Sequence, residues 1–215
     1  MLLWLLQGIP FLTCLLYFVV LIFSATLHEI AHGWVAYKLG DPTAKMMGRL
    51  TLNPRAHLTK MGTLAMLLLP IGWANPVIIN PRNFKKPRRD TIIVSLAGPI
   101  MNLLICFVSL LVLIIFLRIF GINSPAMNAL GTICVAIASV NSILMIFNLI
   151  PIPPLDGSKI FTEWLPYKAR EWLWRVQQYG IIILFLIIYL IWPFISWLQG
   201  LIVNGIYGGL YHLFF

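Results

Sequence analysis

Long apolar runs decide what this chain can fold into. From about Pro10 to Tyr37, Thr91 to Leu117 and Met127 to Ile150 the sequence is almost wholly hydrophobic, and a shorter run follows from Gly180 to Trp197. A helix needs about 20 apolar residues to cross a hydrocarbon core of about 30 Å, and the first three runs reach that length. Inside a bilayer every backbone N–H and C=O must find its partner within the protein, so only helices and closed barrels span it. These runs are continuous rather than alternating, which selects helices. Charged residues make up 10% of the 215-residue chain, against about 25% in soluble domains. The expected fold class is an all-α polytopic membrane protein. It forms a single membrane-embedded domain over residues 1–215, with about five to six transmembrane or half-inserted helices.

Local signals place the boundaries. Pro10 suits a helix start, and Gly40-Asp41-Pro42 stops the helix that follows. Gly62 to Trp73 is apolar but only 12 residues long. At 1.5 Å per residue it covers about 18 Å, too little to cross, so a re-entrant or half-inserted helix is expected. Arg49-Leu50-Thr51-Leu52-Asn53 alternates like a short strand, and Val77-Ile78-Ile79 is a second strand-like piece. Together they predict a small β-strand element near the cytoplasmic face. Ala97-Gly98-Pro99 is expected to interrupt the span from Thr91 to Leu117. Pro151, Pro153 and Pro154 end the span before them. A break is expected near Pro193, with a final short helix in the Gly-rich tail.

Charge sets the orientation. The formal net charge is +9, a balance that invites a nucleic-acid reading. Its distribution opposes that reading. The loops 38–60, 75–90 and 151–178 hold 14 of the 15 Lys and Arg, and only Arg118 lies elsewhere. An excess of basic residues marks cytoplasmic loops, so these three loops face the cytoplasm. The expected localisation is multi-pass in the plasma or inner membrane, with the lipid bilayer and not nucleic acid as partner. The cluster Arg82, Lys85, Lys86, Arg88 and Arg89 fits contact with anionic headgroups. Cys14, Cys106 and Cys134 form no CxxC pair, so neither a disulfide framework nor a thiolate zinc site is signalled. The N-terminus lacks the basic region and cleavage site of a signal peptide, which predicts a retained first helix.

The chemistry starts at His28-Glu29-Ile30-Ala31-His32. Histidines at i and i+4 share one helix face, and that spacing lets both rings reach one zinc ion at about 2.0–2.1 Å. In HExxH enzymes the Glu beside them takes a proton from the activated water. Ionisable groups inside a membrane helix cost about 2.5–3.5 kcal/mol each at mid-depth, so three within five residues need a shared purpose. His32 lies six residues, about 9 Å of helix, before Lys38. The motif therefore sits inside the bilayer near the cytoplasmic face. A catalytic zinc takes a third protein ligand and keeps one position open. Asp156 can supply that ligand, because three prolines free the chain to turn back just before it and Gly157 gives a flexible corner. It can equally cap the helix that follows. On the residues alone both readings stand.

HEIAH followed downstream by Asn148-Leu149-Ile150-Pro151-Ile152-Pro153-Pro154-Leu155-Asp156-Gly157 resembles the site-2 protease family of intramembrane zinc metalloproteases. Ala97-Gly98-Pro99-Ile100-Met101-Asn102 resembles that family's AGPxxN segment. These motifs tie residues 24–160 to it. The resemblance implies one zinc ion per chain held by His28, His32 and Asp156. It implies Glu29 as general base, and Asn148 near the site, where an amide donor could bind the scissile carbonyl or substrate backbone. Substrates would be integral membrane proteins, cut in or near their transmembrane segments (regulated intramembrane proteolysis). The stretches 49–57 and 72–83 resemble a compact subgroup without a PDZ domain. Two departures from its pattern stand out. Leu58-Thr59-Lys60-Met61-Gly62 lacks an Asp-Pro before the glycine, where Thr59 could cap instead, and Asn75 replaces a lysine. His57 as a fourth ligand would close the site, so a structural or supporting role is expected. His212 reads as interfacial. A metal transporter and a non-catalytic membrane-protein-binding relative are the rival classes. A transporter would place polar residues along a path through the spans, whose outer halves are nearly all apolar. An inactive relative would lose Glu29 or a ligand.

Overall fold

The computed structural model describes residues 8–59, 62–64, 67, 75–121, 124–166, 169, 171 and 180–215. In chain order its helices are α1 (Phe11–Lys38), α2 (Thr43–Met46), α3 (Pro87–Phe120), α4 (Pro125–Asn148), α5 (Asp156–Thr162) and α6 (Gly180–Phe214). Among the described residues α1, α3, α4 and the Tyr189–Phe214 part of α6 are long and apolar enough to cross a membrane.

The ends of these helices follow from local chemistry. At the end of α1, Gly40 takes φ of +109°, a conformation that glycine adopts without steric cost. The Asp41 N–H then donates to the Ala36 carbonyl at 2.9 Å and the Gly40 N–H to Tyr37 at 3.2 Å. That pair of bonds is the Schellman arrangement, which satisfies carbonyls the helix leaves free. Pro87 opens α3 at its first turn, and the Asp90 carboxylate accepts the Lys86 N–H at 3.0 Å. The Ser124 side chain caps α4 by accepting the Met127 N–H, ahead of Pro125.

Contacts at the two ends fix the helix directions. Asp41, just after α1, accepts hydrogen bonds from the Asn80 N–H and the Asn83 amide, both just before α3. At the far end, the Arg118 guanidinium lies over the Phe215 ring, 5.4 Å from its centroid. Helices α1 and α4 therefore run one way and α3 and α6 the other. The described parts of the loops rich in Lys and Arg gather at one end, as the charge count expects. Helix α3 is the hub and touches α1, α4, α5 and α6. Its outer half packs Cys106, Leu110 and Ile114 against Ala138 of α4 and Leu210 of α6. Near the basic end Val94 meets Ala36 and Phe84. A buried polar bond, Asn141 Nδ2 to Ser24 Oγ at 2.9 Å, joins α4 to α1. Lipid tails do not drive apolar helix faces together, so such bonds help membrane helices associate, at about 0.6 kcal/mol on average.

Three expectations are corrected. Ala97-Gly98-Pro99 does not interrupt its span, because α3 runs unbroken through Pro99. Helix α6 likewise continues through Pro193 to Phe214, so the tail is no separate short helix. Transmembrane helices tolerate proline; Pro99 is buried within the helix packing, whereas Pro193 is exposed. The third concerns the two strand-like pieces, which form no strand among the described residues. Several backbone donors in and beside them are taken elsewhere. The Arg49 N–H closes a turn onto Ala44, and the Asn53 N–H goes to the Thr51 hydroxyl. The Val77 and Asn80 N–H groups go to the carboxylates of Glu29 and Asp41. Residues 77–79 adopt no regular secondary structure and have no ladder partner among the described residues, and Asn80 after them is extended. Of the expected half-inserted segment, 62–64 and 67 are helical, and the remainder to Trp73 lies outside the described residues. Its start has the expected cap, with the Gly62 N–H donating to Thr59 Oγ1 at 2.9 Å.

Candidate metal centre

Helix α1 places His28 and His32 one turn apart, with their rings edge to face and centroids 4.6 Å apart. Their Nε2 atoms are 3.0 Å from each other. Asp156 Oδ2 lies 3.1 Å from His28 Nε2 and 3.0 Å from His32 Nε2. All three side chains are buried, and together they form a group that could hold a metal ion.

Asp156 reaches them because the chain doubles back after α4. The residue capping α5 is Leu155, without a side-chain cap bond, and Asp156 is the first helical residue. Its carboxylate is turned to the histidines instead of capping its own helix. Gly157 makes the turn feasible, since a Cβ there would run into the carbonyl oxygens of Leu149 and Ile150. Gly98 does the same from α3, since a Cβ there would collide with both imidazoles.

Hydrogen bonding shows what the three atoms require. His32 Nδ1 is 2.7 Å from the Val94 carbonyl oxygen. A carbonyl only accepts, so Nδ1 carries the proton, and in the neutral ring Nε2 presents a lone pair. That lone pair faces a carboxylate oxygen and a second imidazole nitrogen at 3.0 Å each. A proton on one nitrogen could relieve only part of this crowding of acceptors. A cation at their centre would serve all three. Tetrahedral zinc with bonds of about 2.0–2.1 Å sets its ligands about 3.3 Å apart, close to the separations here. The two-His, one-carboxylate set also leaves a position open, as catalytic sites do. Asp156 Oδ1, turned away from the histidines, accepts from Lys159 Nζ at 2.8 Å. Asn102 of α3 lies fully buried with its side-chain amide 3.2 Å from His28 Nδ1.

The other expected site residues are spread around this cluster. Glu29 Oε2 accepts the Val77 backbone N–H at 2.8 Å, tying the 77–79 segment to α1 beside the histidines. The Asn148 amide donates to Leu144 of its own helix at 2.9 Å and makes no hydrogen bond to the cluster. His57 is fully buried away from it and donates from Nε2 to the Thr51 carbonyl at 2.9 Å. Asn75, the departure from lysine, sits beside the Arg49 guanidinium, which also bonds the Ala56 carbonyl. A cavity of about 450 Å³ opens between Val77–Ile79 on one side and Pro153, Lys159 and Thr162 on the other.

Reading residues alone does not single out Lys159 or the Val94 carbonyl. A lysine three residues after Asp156 on a helix is a legible pair. A backbone carbonyl has no sequence signature at all.

The family model for peptidase family M50 matches residues 16–123 and 116–191. The putative zinc metalloprotease YwhC of Bacillus subtilis is 38% identical over 83% of this chain and 84% of its own length. The putative zinc metalloprotease Rip2 of Mycobacterium tuberculosis is 28% identical over 83% of this chain and 68% of its own. The zinc metalloprotease MJ0392 of Methanocaldococcus jannaschii is 30% identical over 70% of this chain, which spans only 34% of that protein. No solved structure matches. With the family match extending over most of its length, the chain belongs to peptidase family M50, the site-2 proteases that its motifs resemble.

Proposed function

We propose that this chain is an intramembrane zinc metalloprotease that hydrolyses peptide bonds in or near the transmembrane segments of integral membrane proteins, from a site opening to the cytoplasmic face. The observation that carries the reading is the buried convergence of His28, His32 and Asp156 at 3.0–3.1 Å. His28, His32 and Asp156 are the zinc ligands. Bound there, zinc supplies Lewis acidity toward a peptide carbonyl and makes water more acidic. Glu29 takes the proton of the attacking water and passes it to the leaving amine. The Val77 N–H holds one oxygen of that carboxylate and leaves the other for the proton. Lys159 occupies Asp156 Oδ1 and so keeps Oδ2 as the ligand atom. Asn148 has two amide hydrogens and commits one to Leu144. The second is available to the substrate backbone, where it would support a developing oxyanion.

A helical substrate must unwind locally before water can reach its carbonyls. The segment 77–79 offers a place for it. Among the described residues Ile78 has no backbone hydrogen-bond partner, and the cavity lies alongside. An unwound chain could pair there as an added strand. The membrane setting agrees with four apolar helices, and the basic loops favour cytoplasmic access. The test is proteolysis of a membrane substrate by the purified protein in detergent or vesicles. Glu29→Gln is expected to lose at least about 100-fold in rate while keeping its zinc. Normal cleavage by that variant would sink the proposal.

A further inference from the structure

Resting on the zinc reading above, we infer that Asn102 is a positioning residue for the metal centre: its side-chain oxygen accepts the Nδ1 proton of His28 and so turns the Nε2 lone pair toward the ion. Helix α3 presents three groups to the histidines at intervals of four residues. Val94 offers its carbonyl to His32 Nδ1 at 2.7 Å. Gly98, one turn on, offers space that a Cβ would fill. Asn102, a further turn on, offers its amide to His28 Nδ1 at 3.2 Å. Positions four apart lie on one helix face, so a single stripe of α3 orients both rings.

The two imidazoles face the same requirement. A ring that ligates through Nε2 holds its proton on Nδ1, and that proton needs an acceptor. The Val94 carbonyl fills the role for His32. For His28 the atom in place is an amide end, and Asn102 is fully buried, beyond the reach of bulk water. Its Oδ1 has no hydrogen-bond partner as oriented with Nδ2 toward the ring. Amide oxygen and nitrogen have nearly the same shape, and the hydrogen-bond network decides between them. With zinc on Nε2 the network demands oxygen beside Nδ1. The opposite orientation would direct an N–H at Nδ1 and require the proton on Nε2, where the ion binds. Asn102 is thus the only side chain in the stripe whose chemistry selects the tautomer.

The experiment compares zinc affinity across variants of the full-length detergent-purified chain, by competition with a chromophoric chelator. Asn102→Leu and Asn102→Ala are expected to weaken zinc about 10–100-fold, the range for lost outer-shell partners of metal ligands. Asn102→Asp keeps an acceptor and is expected to bind zinc at least as tightly as the parent. A residue needed only for packing would show the reverse order, since a buried carboxylate is harder to accommodate than alanine. Unchanged affinity in Asn102→Ala, or equal loss in Asn102→Asp and Asn102→Ala, would overturn the inference. If Asn102→Leu does not fold, the Ala and Asp pair decides. His28→Ala separates the two layers of the argument. Retained zinc in that variant breaks the metal assignment itself. Lost zinc in His28→Ala beside full affinity in Asn102→Ala breaks only the role of Asn102.

Discussion

At the scale of single residues, the site depends on small groups that make room as much as on the groups that bind. Gly98 lets α3 approach the histidines, and Gly157 lets the start of α5 approach the Leu149 and Ile150 carbonyls, more closely than any side chain would allow. Gly98→Ala is expected to abolish stoichiometric zinc binding, because its methyl group would displace both imidazoles. The check is metal analysis of the purified variant, with circular dichroism to show that the helices persist. Lys159→Gln removes the ammonium that holds Asp156 Oδ1 in place, and zinc affinity is expected to fall about tenfold in the same chelator competition. The histidine pair was legible from its spacing, while the residues alone left Asp156 between ligand and cap and only the family resemblance pointed it toward the histidines. The Val94 carbonyl and the orientation of Glu29 were not legible, since both depend on where a distant backbone comes to rest.

At the scale of elements, the proposed docking of substrate on residues 77–79 can be tested apart from metal binding. Ile78→Pro removes an N–H that no described residue uses. The variant is expected to keep zinc and fold but to lose about tenfold or more in cleavage of a transmembrane substrate, as an added strand loses one of its ladder bonds. Equal cleavage by parent and variant would argue against strand addition. The long helices were readable from hydropathy alone. Their continuity through Pro99 and Pro193 was not, because proline rules drawn from soluble helices assume water ready to disrupt a weakened turn. The strand-like pieces failed for another reason. Alternating residues describe a pattern of faces and say nothing of where the backbone donors go, and here a carbonyl, a hydroxyl and the Glu29 carboxylate take some of them.

At the scale of the whole molecule, one buried acid links the end of α1 to the start of α3. Burial raises the Asp41 pKa, but hydrogen bonds from Thr43, the Asn80 N–H and the Asn83 amide outweigh it and hold the carboxyl below its ordinary value. A depressed folded-state pKa contributes stability that is fully present above the unfolded carboxylate value, about 3.9. That contribution fades as pH falls through the lower folded value. Thermal unfolding in detergent from pH 7 downward is therefore expected to show a loss at acid pH. Asp41→Asn is expected to be less stable at neutral pH and to lose part of this acid sensitivity. Topology follows from the same frame. A reporter fused after Phe215 is expected on the side opposite one fused in the loop after α5, since Arg118 and Phe215 mark the end away from the basic loops.

The segment from Val77 to Asn80 is pinned at both ends through its own N–H groups, by Glu29 at one and Asp41 at the other. If a substrate strand pairs along it as proposed, the segment would act as a spacer of fixed length and hold that strand at a constant offset from the Glu29 carboxylate. The position of the cut would then be counted from where the substrate docks rather than chosen by the side chains flanking the bond. In such an enzyme, lengthening the spacer by one residue would shift the cleavage site and leave the chemistry unchanged.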